Sequence, residues 1–505
     1  MKNLIIKTAV TSLFLPSLVL AASPIQSITK EWTYKHVTTG VAGQISEISA
    51  YDAITNTVWV AGVVGVDVLN ATNGSLVQHI NISSFGSINS VAIKNGLAAF
   101  AIESNTRTNA GIVQFYDTSS RALTSGINTV TVGALPDMLT FTPDGSKLLV
   151  ANEATPSVYG ARIGTTTPRN YAPATLDPVG SVSVIDMNTR TVSATAGFAN
   201  VTQTGANIRT NTGMDFEPEY IAVNNAGTKA YVTLQEANAI GVLDLNTNTF
   251  EKVVGLGVKD FSLPGNTIDP LNNGTVSFIS ANVKGLYMPD GIAAYESNGN
   301  TYLVMANEGD FREDDADRSA ASTLGAAAPL NNLRVSNTDS SAGNLFTAGA
   351  RSFSIRDTNG NLVFDSGDFL DKKAAELGIY DDARSRDKGV EPEGVSIFNI
   401  NGRTVAAIGL ERTLKSAIAL YDITDATNAS FLDMIVTDGD ISPEGLQAFE
   451  SNGKIFLSIA NEVSNSTTLY SIAAVPEPET YALFLFGLGL LGFKAKKSKK
   501  LIPDS

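Results

Sequence analysis

The chain contains no cysteine and only two histidines among its 505 residues. Without cysteine it has no disulfide bond, no cysteine-bound zinc and no thiol nucleophile. His36 and His79 both lie ahead of the clear repeats described below, and the chain has no G-x-S-x-G sequence. Hydrolysis by a serine nucleophile with a histidine base is therefore not expected.

Positive charge is also scarce. Charged residues make up 17% of the chain, and 35 lysines and arginines stand against 50 aspartates and glutamates, for a net charge of −15. Seven of the lysines but only three of the acids lie outside residues 23–475, so that segment carries about −19. A surface of this charge repels nucleic acid and anionic lipid, and it attracts cations or basic partners.

What the chain has instead is a repeat. Five copies begin with proline and an acid, continue through two short apolar segments separated by a turn, and end with a glutamate. The two acids of a copy are 16, 17 or 18 residues apart, and three copies close on Ala-Asn-Glu. A unit of constant length indicates a repeat fold. The copies run from Asp137 to Glu153, Glu219 to Glu236, Asp290 to Glu308, Glu393 to Glu411, and Glu444 to Glu462.

Each copy predicts a four-stranded antiparallel sheet. Asp144-Gly145, Asn401-Gly402 and Asn452-Gly453 are hairpin turns between the first two strands. An alternating apolar segment such as residues 238–247 supplies the third strand, and the fourth is poorly marked.

Two weaker copies begin at Glu47 and Ser87, which brings the number of units to seven. Residues 32–34 are predicted to add a strand to the last sheet and to close the ring. We therefore predict an all-β chain that folds as a seven-bladed β-propeller. The alternatives, a pair of β-sandwiches or a β-helix, fit the constant unit less well.

Four stretches exceed the length of the unit: residues 154–180, 251–288, 309–349 and 357–390. Each follows a closing glutamate or precedes a Pro-acid pair, so we expect all four on the face that carries the acids. Within the last of them, residues 372–377 are predicted to form a short helix. Binding sites are commonly built in such loops.

The acids form the candidate site. Antiparallel pairing brings the two acids of a copy to the same edge of their sheet, so the copies predict a ring of carboxylates at one mouth of a central channel. Ca²⁺ is the candidate metal, because it accepts about six to eight oxygen ligands in irregular geometry. The candidate ligands are Asp290, Glu308, Asp310, Glu313, Asp314, Glu393, Glu411, Glu444 and Glu462.

A structural interpretation of the same acids stays open. A carboxylate at the start of an inner strand can accept backbone N–H bonds from the next sheet. Arg384, Lys388 and Arg412 lie close in sequence to several of the acids and can neutralise them. The acidic stretch at residues 310–317 can equally be a solvated loop.

The N-terminal end has the features of a targeting segment. Lys2 and Lys7 give the segment a positively charged start. A mainly apolar stretch follows them and ends at the small residues Ala21 and Ala22. This predicts a signal peptide over residues 1–22 and an exported mature protein.

The C-terminal end carries Pro476-Glu477-Pro478, then 13 mainly apolar residues at 481–493, then five lysines. Residues 476–500 resemble the PEP-CTERM sorting signal of Gram-negative bacteria. The resemblance implies a short transmembrane helix held transiently in the inner membrane, cleavage by an exosortase, and delivery to the cell surface or extracellular matrix. An ordinary membrane anchor is the alternative.

The body carries a second resemblance. Residues 30–475 resemble the bacterial surface-protein domain called choice-of-anchor I and, more distantly, mesenchyme-specific cell-surface glycoproteins. This implies a domain exposed at the cell surface and brings no settled activity with it. The segments that carry it include Met288-Pro289-Asp290-Gly291-Ile292, Ala306-Asn307-Glu308-Gly309-Asp310 and Lys388-Gly389-Val390-Glu391-Pro392-Glu393-Gly394.

Together these features predict an exported, monomeric surface or matrix protein. On its acidic, loop-rich face we expect it to bind Ca²⁺ or another ligand, such as an extracellular polysaccharide or a surface protein, without catalysis. One alternative is a calcium-dependent phosphohydrolase of the phytase or alkaline-phosphatase type, since metal-activated water needs only oxygen ligands. The other is a purely structural protein of the biofilm matrix.

Overall fold

The computed structural model describes residues 23–157, 176–209, 216–311 and 317–476. Over these ranges the chain is built almost entirely from β-strands, which confirms the prediction of an all-β protein. The described residues contain one α-helix, α1 (Phe369–Glu376), which begins three residues before the helix predicted at 372–377.

The strands are short, and many are buried along most of their length. In the first half of the chain they are β1 (Ile25–Lys35), β2 (Ser49–Asp52), β3 (Thr57–Gly62), β4 (Gly65–Asn70), β5 (Leu76–Asn81), β6 (Ser87–Lys94), β7 (Leu97–Glu103), β8 (Ala110–Asp117), β9 (Ala122–Leu123), β10 (Thr129–Ala134), β11 (Pro136–Phe141), β12 (Lys147–Asn152), β13 (Ser181–Asp186), β14 (Thr191–Ala196), β15 (Thr202–Ala206), β16 (Ile221–Val223), β17 (Lys229–Leu234), β18 (Ala239–Asp244) and β19 (Thr249–Leu256). In the second half they are β20 (Val258–Asp260), β21 (Val283–Leu286), β22 (Ile292–Ser297), β23 (Asn300–Asn307), β24 (Arg318–Ala320), β25 (Arg334–Ser336), β26 (Leu345–Thr347), β27 (Ser352–Asp357), β28 (Leu362–Asp365), β29 (Pro392–Ile400), β30 (Arg403–Leu410), β31 (Ser416–Asp422), β32 (Ser430–Thr437), β33 (Pro443–Ser451), β34 (Lys454–Asn461) and β35 (Ser466–Ala474).

Most sheets follow the chain, each strand pairing antiparallel with the next. Apart from the edge strands β9 and β15, the sheets built this way are β2–β3–β4–β5, β6–β7–β8–β10, β11–β12–β13–β14, β16–β17–β18–β19, β22–β23–β27–β28, β29–β30–β31–β32 and β33–β34–β35–β1. The predicted repeat therefore corresponds to one sheet. Asn401-Gly402 and Asn452-Gly453 have positive φ at both residues, the geometry of tight hairpin turns.

The first strands of these sheets touch one another in sequence. Strand β2 packs against β6, β6 against β11, β11 against β16, β16 against β22, β22 against β29, β29 against β33, and β33 against β2. The hydrophobic core is divided in the same way, into clusters between neighbouring sheets. One of them joins Leu149 and Val184 of one sheet to Val232 and Leu243 of the next.

Glycine sets the spacing of three neighbouring first strands. Gly291, Gly394 and Gly445 each follow the acid of a Pro-acid pair, and a Cβ atom at any of them would lie 2.2 Å from the backbone carbonyl oxygen of the corresponding acid in the next sheet. A larger residue would force the strands apart. The Pro-acid-Gly sequence thus brings the acids of three adjacent sheets close together.

The N-terminal strand completes the last sheet. Strand β1 pairs antiparallel with β35, which confirms the strand predicted at residues 32–34. Trp32 is 9% exposed and packs against Val58, Leu69 and Leu469, and its indole N–H donates to the carbonyl oxygen of Ala71 at 2.9 Å. The side chain therefore joins the first sheet to the last.

Both histidines contact the same buried aspartate. The Nδ1 atoms of His36 and His79 each lie 2.7 Å from an oxygen of Asp67, and His36 Nε2 lies 2.8 Å from the hydroxyl of Thr467. His36 and Asp67 are fully buried. These groups link the segment that follows β1 to the first and last sheets, and none of them lines the cavity described below.

The insertions form smaller elements of their own. Strands β20, β21 and β26 make a three-stranded sheet, and β24 pairs with β25. Two insertions begin later than predicted, because residues 251–256 belong to β19 and residues 362–365 to β28, the fourth strands of their sheets. Most of the insertion at 154–180 lies outside the described residues.

Within the described residues no helix is long and apolar enough to cross a membrane. The predicted signal peptide at 1–22 and the apolar segment at 481–493 lie outside those residues. Both stay predictions.

Candidate functional site

The repeat places its two acids side by side, as the sequence predicts. In three copies the proline pairs with the residue just before the closing glutamate, for example Pro136 with Asn152 and Pro443 with Asn461. The residue before the proline is in the left-handed region at Leu135 and Met288. This backbone conformation turns the chain so that the first strand begins beside the end of the second.

The asparagine of Ala-Asn-Glu has a structural role. The side-chain amide of Asn152 donates to the carbonyl oxygen of Ser181, and those of Asn307 and Asn461 donate to the carbonyl oxygens of Ser352 and Ser466. Each bond ties the end of a second strand to the start of the third. The glutamate that follows is held in place by this link.

The acids meet around one cavity of about 520 Å³. Basic side chains line it too, and two of them, Arg384 and Lys388, come from the last insertion. Of the predicted ligands, Glu313 and Asp314 lie outside the described residues. The acids that line the cavity are Asp137, Glu153, Glu219, Asp290, Glu308, Asp310, Glu391, Glu393, Glu411, Glu444 and Glu462.

The closing glutamates on one side of the cavity are neutralised by cations. Glu308 Oε1 lies 2.6 Å from Lys388 Nζ, and its Oε2 accepts a hydrogen bond from Gln235 at 2.8 Å. Glu411 pairs with Arg412 at 2.6 Å. The predicted neutralisation of acids by nearby basic residues is confirmed for this group.

Three of the acids that begin first strands lack such partners. One carboxylate oxygen each of Glu219, Glu393 and Glu444 is buried without a hydrogen-bond partner in the described part of the chain. Glu219 is 8% exposed. Burial of an unsatisfied carboxylate is costly unless a proton or a cation compensates. This cost is the main sign of a ligand at the cavity.

Burial and mutual repulsion disturb the titration of these groups. Burial first, and neighbouring carboxylates second, raise the pKa values of Asp290, Glu393 and Glu444 well above their usual range. The same causes raise the pKa of Glu411 to about 8 and that of Asp137 to about 7. A bound cation would favour the charged forms.

The basic residues have the opposite effect on their partners. Burial alone would lower the pKa of Lys388, but Glu308 and Glu391 raise it well above its usual value. Burial alone would raise the pKa of Glu391, but Lys388 and Arg384 hold it below its usual value. Lysine and glutamate are therefore both charged here.

Two overlapping groups of carboxylates have the spacing of a metal site. Asp290, Glu308 and Glu393 form one group, and Glu308, Glu391 and Glu411 form the other. Within each group the oxygen atoms lie within 4.8 Å of one another. Since Ca²⁺ binds oxygen at about 2.3–2.6 Å, one ion fits between oxygens at such separations. The first group consists entirely of predicted ligands.

Several residues that line the cavity were not among the predicted ligands, and three of them stand out: Gln235, Glu391 and Tyr220. Glu391 and Gln235 each stand beside a repeat acid in the sequence, in Glu391-Pro392-Glu393 and Gln235-Glu236. That adjacency is the signal that could have revealed them. Tyr220 follows the acid at the position where three of the other four copies have glycine, and it lines both this cavity and a second one.

Comparison with known proteins gives a family and little beyond it. No curated protein sequence matches the chain. Among solved structures, hydrazine synthase of Kuenenia stuttgartiensis is 10% identical, with 87% of this chain and 97% of that chain covered and a TM-score of 0.48. A mitotic checkpoint complex structure is also 10% identical, with 94% and 99% covered and a TM-score of 0.47.

Two sequence families match. The PEP-CTERM protein-sorting motif matches residues 474–500, which implies export, membrane-associated sorting and processing by an exosortase. The choice-of-anchor I domain matches residues 47–426. Together the two matches indicate an exported surface protein, and by the extent of the second match this chain belongs to the choice-of-anchor I domain family.

Proposed function

We propose that the protein is a seven-bladed β-propeller of the cell surface or extracellular matrix that binds Ca²⁺ in its acidic cavity. Its parts are a signal peptide at 1–22, the propeller at 30–475 and the sorting signal at 476–500. The propeller arrangement is supported by the circle of contacts from β2 through the other first strands and back to β2. Each repeated sheet is then one blade.

The proposed binding function rests on one observation: several first-strand acids line a shared cavity and have carboxylate oxygens without hydrogen-bond partners. Asp290 and Glu393 sit within 4.8 Å of Glu308, beside the unpartnered oxygens of Glu444 and Glu219. Protons compensate these carboxylates in the cation-free protein, since burial and mutual repulsion raise the pKa values of Asp290, Glu393 and Glu444. A divalent cation would take the place of those protons. Oxygen-only ligands of this kind favour Ca²⁺.

Catalysis on phosphate esters is less well supported by the same cavity. Of the five basic residues that line the cavity, Arg384, Lys388 and Arg412 are each already paired with a carboxylate at 2.6 Å. A phosphate would have to displace those acids in a cavity that carries excess negative charge. We therefore propose a binding role without catalysis.

The position of the cavity suits a role at the cell surface. Loops of the insertions, with Asp310 and Lys388 among them, line it, so the bound ion is within reach of a large partner. A polyanionic extracellular polysaccharide or an acidic surface protein could supply the remaining ligands of a bound Ca²⁺. The excess negative charge of the body disfavours nucleic acid.

Thermal unfolding of residues 23–475 tests the proposal. We expect the unfolding midpoint to rise with millimolar Ca²⁺, to rise less with Mg²⁺, and to fall in EDTA. Binding to the native state alone adds about 2.7 kcal/mol at a hundredfold excess over the dissociation constant, which shifts the midpoint measurably. An unchanged midpoint in every condition would refute cation binding. A phosphatase assay in Ca²⁺ on the same sample separates binding from catalysis.

A further inference from the structure

The two carboxylate groups of the cavity compete for cations, because both contain Glu308. One group adds Asp290 and Glu393 to it, and the other adds Glu391 and Glu411. By carboxylate content alone the cavity could hold two divalent ions. What distinguishes the groups is the charge already present beside each one.

Lys388 occupies the second group. Its ammonium is 2.6 Å from Glu308 Oε1 and 3.0 Å from Glu391 Oε2, and the residue is 5% exposed. Arg384 pairs with Glu391 Oε1 and Arg412 pairs with Glu411 Oε1, each at 2.6 Å. The three carboxylates of the group thus face three cations of the chain itself.

The loop that carries Lys388 is held rigidly. The buried guanidinium of Arg351 donates to the carbonyl oxygens of Ser385 and Asp387, at 2.5 and 3.1 Å. Asp371, paired with Arg351, accepts the backbone N–H of Val390 at 3.2 Å. The backbone on both sides of Lys388 is therefore already ordered, so placing the lysine in the cavity requires little further ordering of the chain.

The first group has no such set of basic side chains within the described residues. Apart from the shared Glu308, its members have no ion pair within the described ranges. Glu219, which lines the same cavity, is 8% exposed and has one oxygen without a hydrogen-bond partner. An added cation entering the second group would have to expel Lys388 and leave a buried ammonium unpaired, which is strongly unfavourable.

We propose that Lys388 is a built-in cation that fills the second carboxylate group and limits the cavity to one added divalent ion. This rests on the proposed function. Lys388 is thus a specificity-determining residue, since it decides the number of ions and confines them to the group of Asp290, Glu308 and Glu393.

The test is the number of Ca²⁺ ions bound by the purified protein at saturation in equilibrium dialysis. We expect one ion for the wild type and two for Lys388→Gln. Lys415→Gln, at an exposed lysine paired with Asp438 on the surface, is the matched control and should bind one ion. The double variant Lys388→Gln/Glu391→Gln removes a ligand of the new site and should return to one.

The outcomes separate the two proposals. If the wild type and Lys388→Gln both bind one ion, Lys388 does not occupy a cation position and the inference is wrong, while the proposed function stands. If the wild type binds none and Lys388→Gln binds one, the proposed function and the limit of one added ion both fail, and only the occupation of the second group by Lys388 stands. Binding by neither overturns both. Should Lys388→Gln unfold in EDTA, refolding on addition of Ca²⁺ supports the inference, and failure to refold opposes it.

Discussion

At the scale of single residues, the site is defined by which carboxylates lack partners. Glu308 and Glu411, which close their copies, pair with Lys388 and Arg412. Glu393 and Glu444, which begin theirs, each have one oxygen without a partner. Each unpartnered acid lowers the stability of the cation-free protein, and it would become a ligand once an ion is bound.

Glu393→Gln tests this difference. It removes one charge from the repelling acids and one ligand from the proposed ion, so we expect the EDTA-treated protein to be as stable as the wild type or more so. Ca²⁺ affinity should fall by about tenfold or more, since even outer-shell partners of a metal are worth that much. Thermal unfolding with and without Ca²⁺ measures both effects.

The control for that substitution is Glu450→Gln, at an exposed glutamate on β33, which should change neither quantity. A purely structural Glu393, one that accepts hydrogen bonds needed by the fold, predicts the reverse pattern. In that case Glu393→Gln would lower the midpoint in EDTA and leave the Ca²⁺ shift intact.

At the scale of elements, close packing of the first strands determines how near the acids lie. The glycines after three of the acids bring each strand against the next sheet's backbone, and no side chain separates them. The same strands carry the acids at their ends, so the spacing of the backbone becomes the spacing of the carboxylates.

Gly394→Ala should disturb this packing, because the added methyl group would lie 2.2 Å from the carbonyl oxygen of Glu444. Overpacking of this kind typically costs about 1–3 kcal/mol, and denaturant unfolding measures the loss. Gly197→Ala is the matched control: nothing lies within 4 Å of its added Cβ atom. Equal stabilities for the two variants would contradict the close contact.

At the scale of the whole molecule, non-covalent contacts alone hold the first and last sheets together, since there is no cysteine. Strand β1 completes the last sheet, and His36 with Trp32 joins it to the first. The acids of different sheets then meet at the common cavity, and their repulsion becomes a property of the assembled ring instead of any one sheet.

This repulsion gives cation-free stability a defined pH dependence. The pKa values of Glu411 and Glu47 are raised to about 8 and that of Asp137 to about 7, all above the values of an unfolded chain. Between those unfolded and folded values the folded protein keeps protons that the unfolded chain has released, so stability falls as the pH rises.

We therefore expect the unfolding midpoint in EDTA to be higher at about pH 5 than at about pH 8, with Ca²⁺ raising it most at the upper end. Surface aspartates with a lowered pKa, such as Asp244 at about 2, lose their contribution only at more acidic pH. A scan from about pH 5 to 8 checks the slope, and a rising midpoint in EDTA would count against the buried acids.

The sequence by itself determined the repeating unit, the all-β class, the strand added by residues 32–34 and the edge on which the acids lie. Hairpin pairing is local, so a pattern within some 20 residues is enough to place Asp290 beside Glu308. The family and the sorting motif are also readable from the sequence, because both depend on short ordered runs of residues.

Only the tertiary structure decided that Lys388 neutralises Glu308. Lys388 and Glu308 are 80 residues apart, and His36 and Thr467 are 431 apart. No local pattern reports such pairs, and the outer strands β19 and β28 were mistaken for insertions for the same reason. Their positions follow from packing between sheets, which depends on the shape and charge of the assembled molecule.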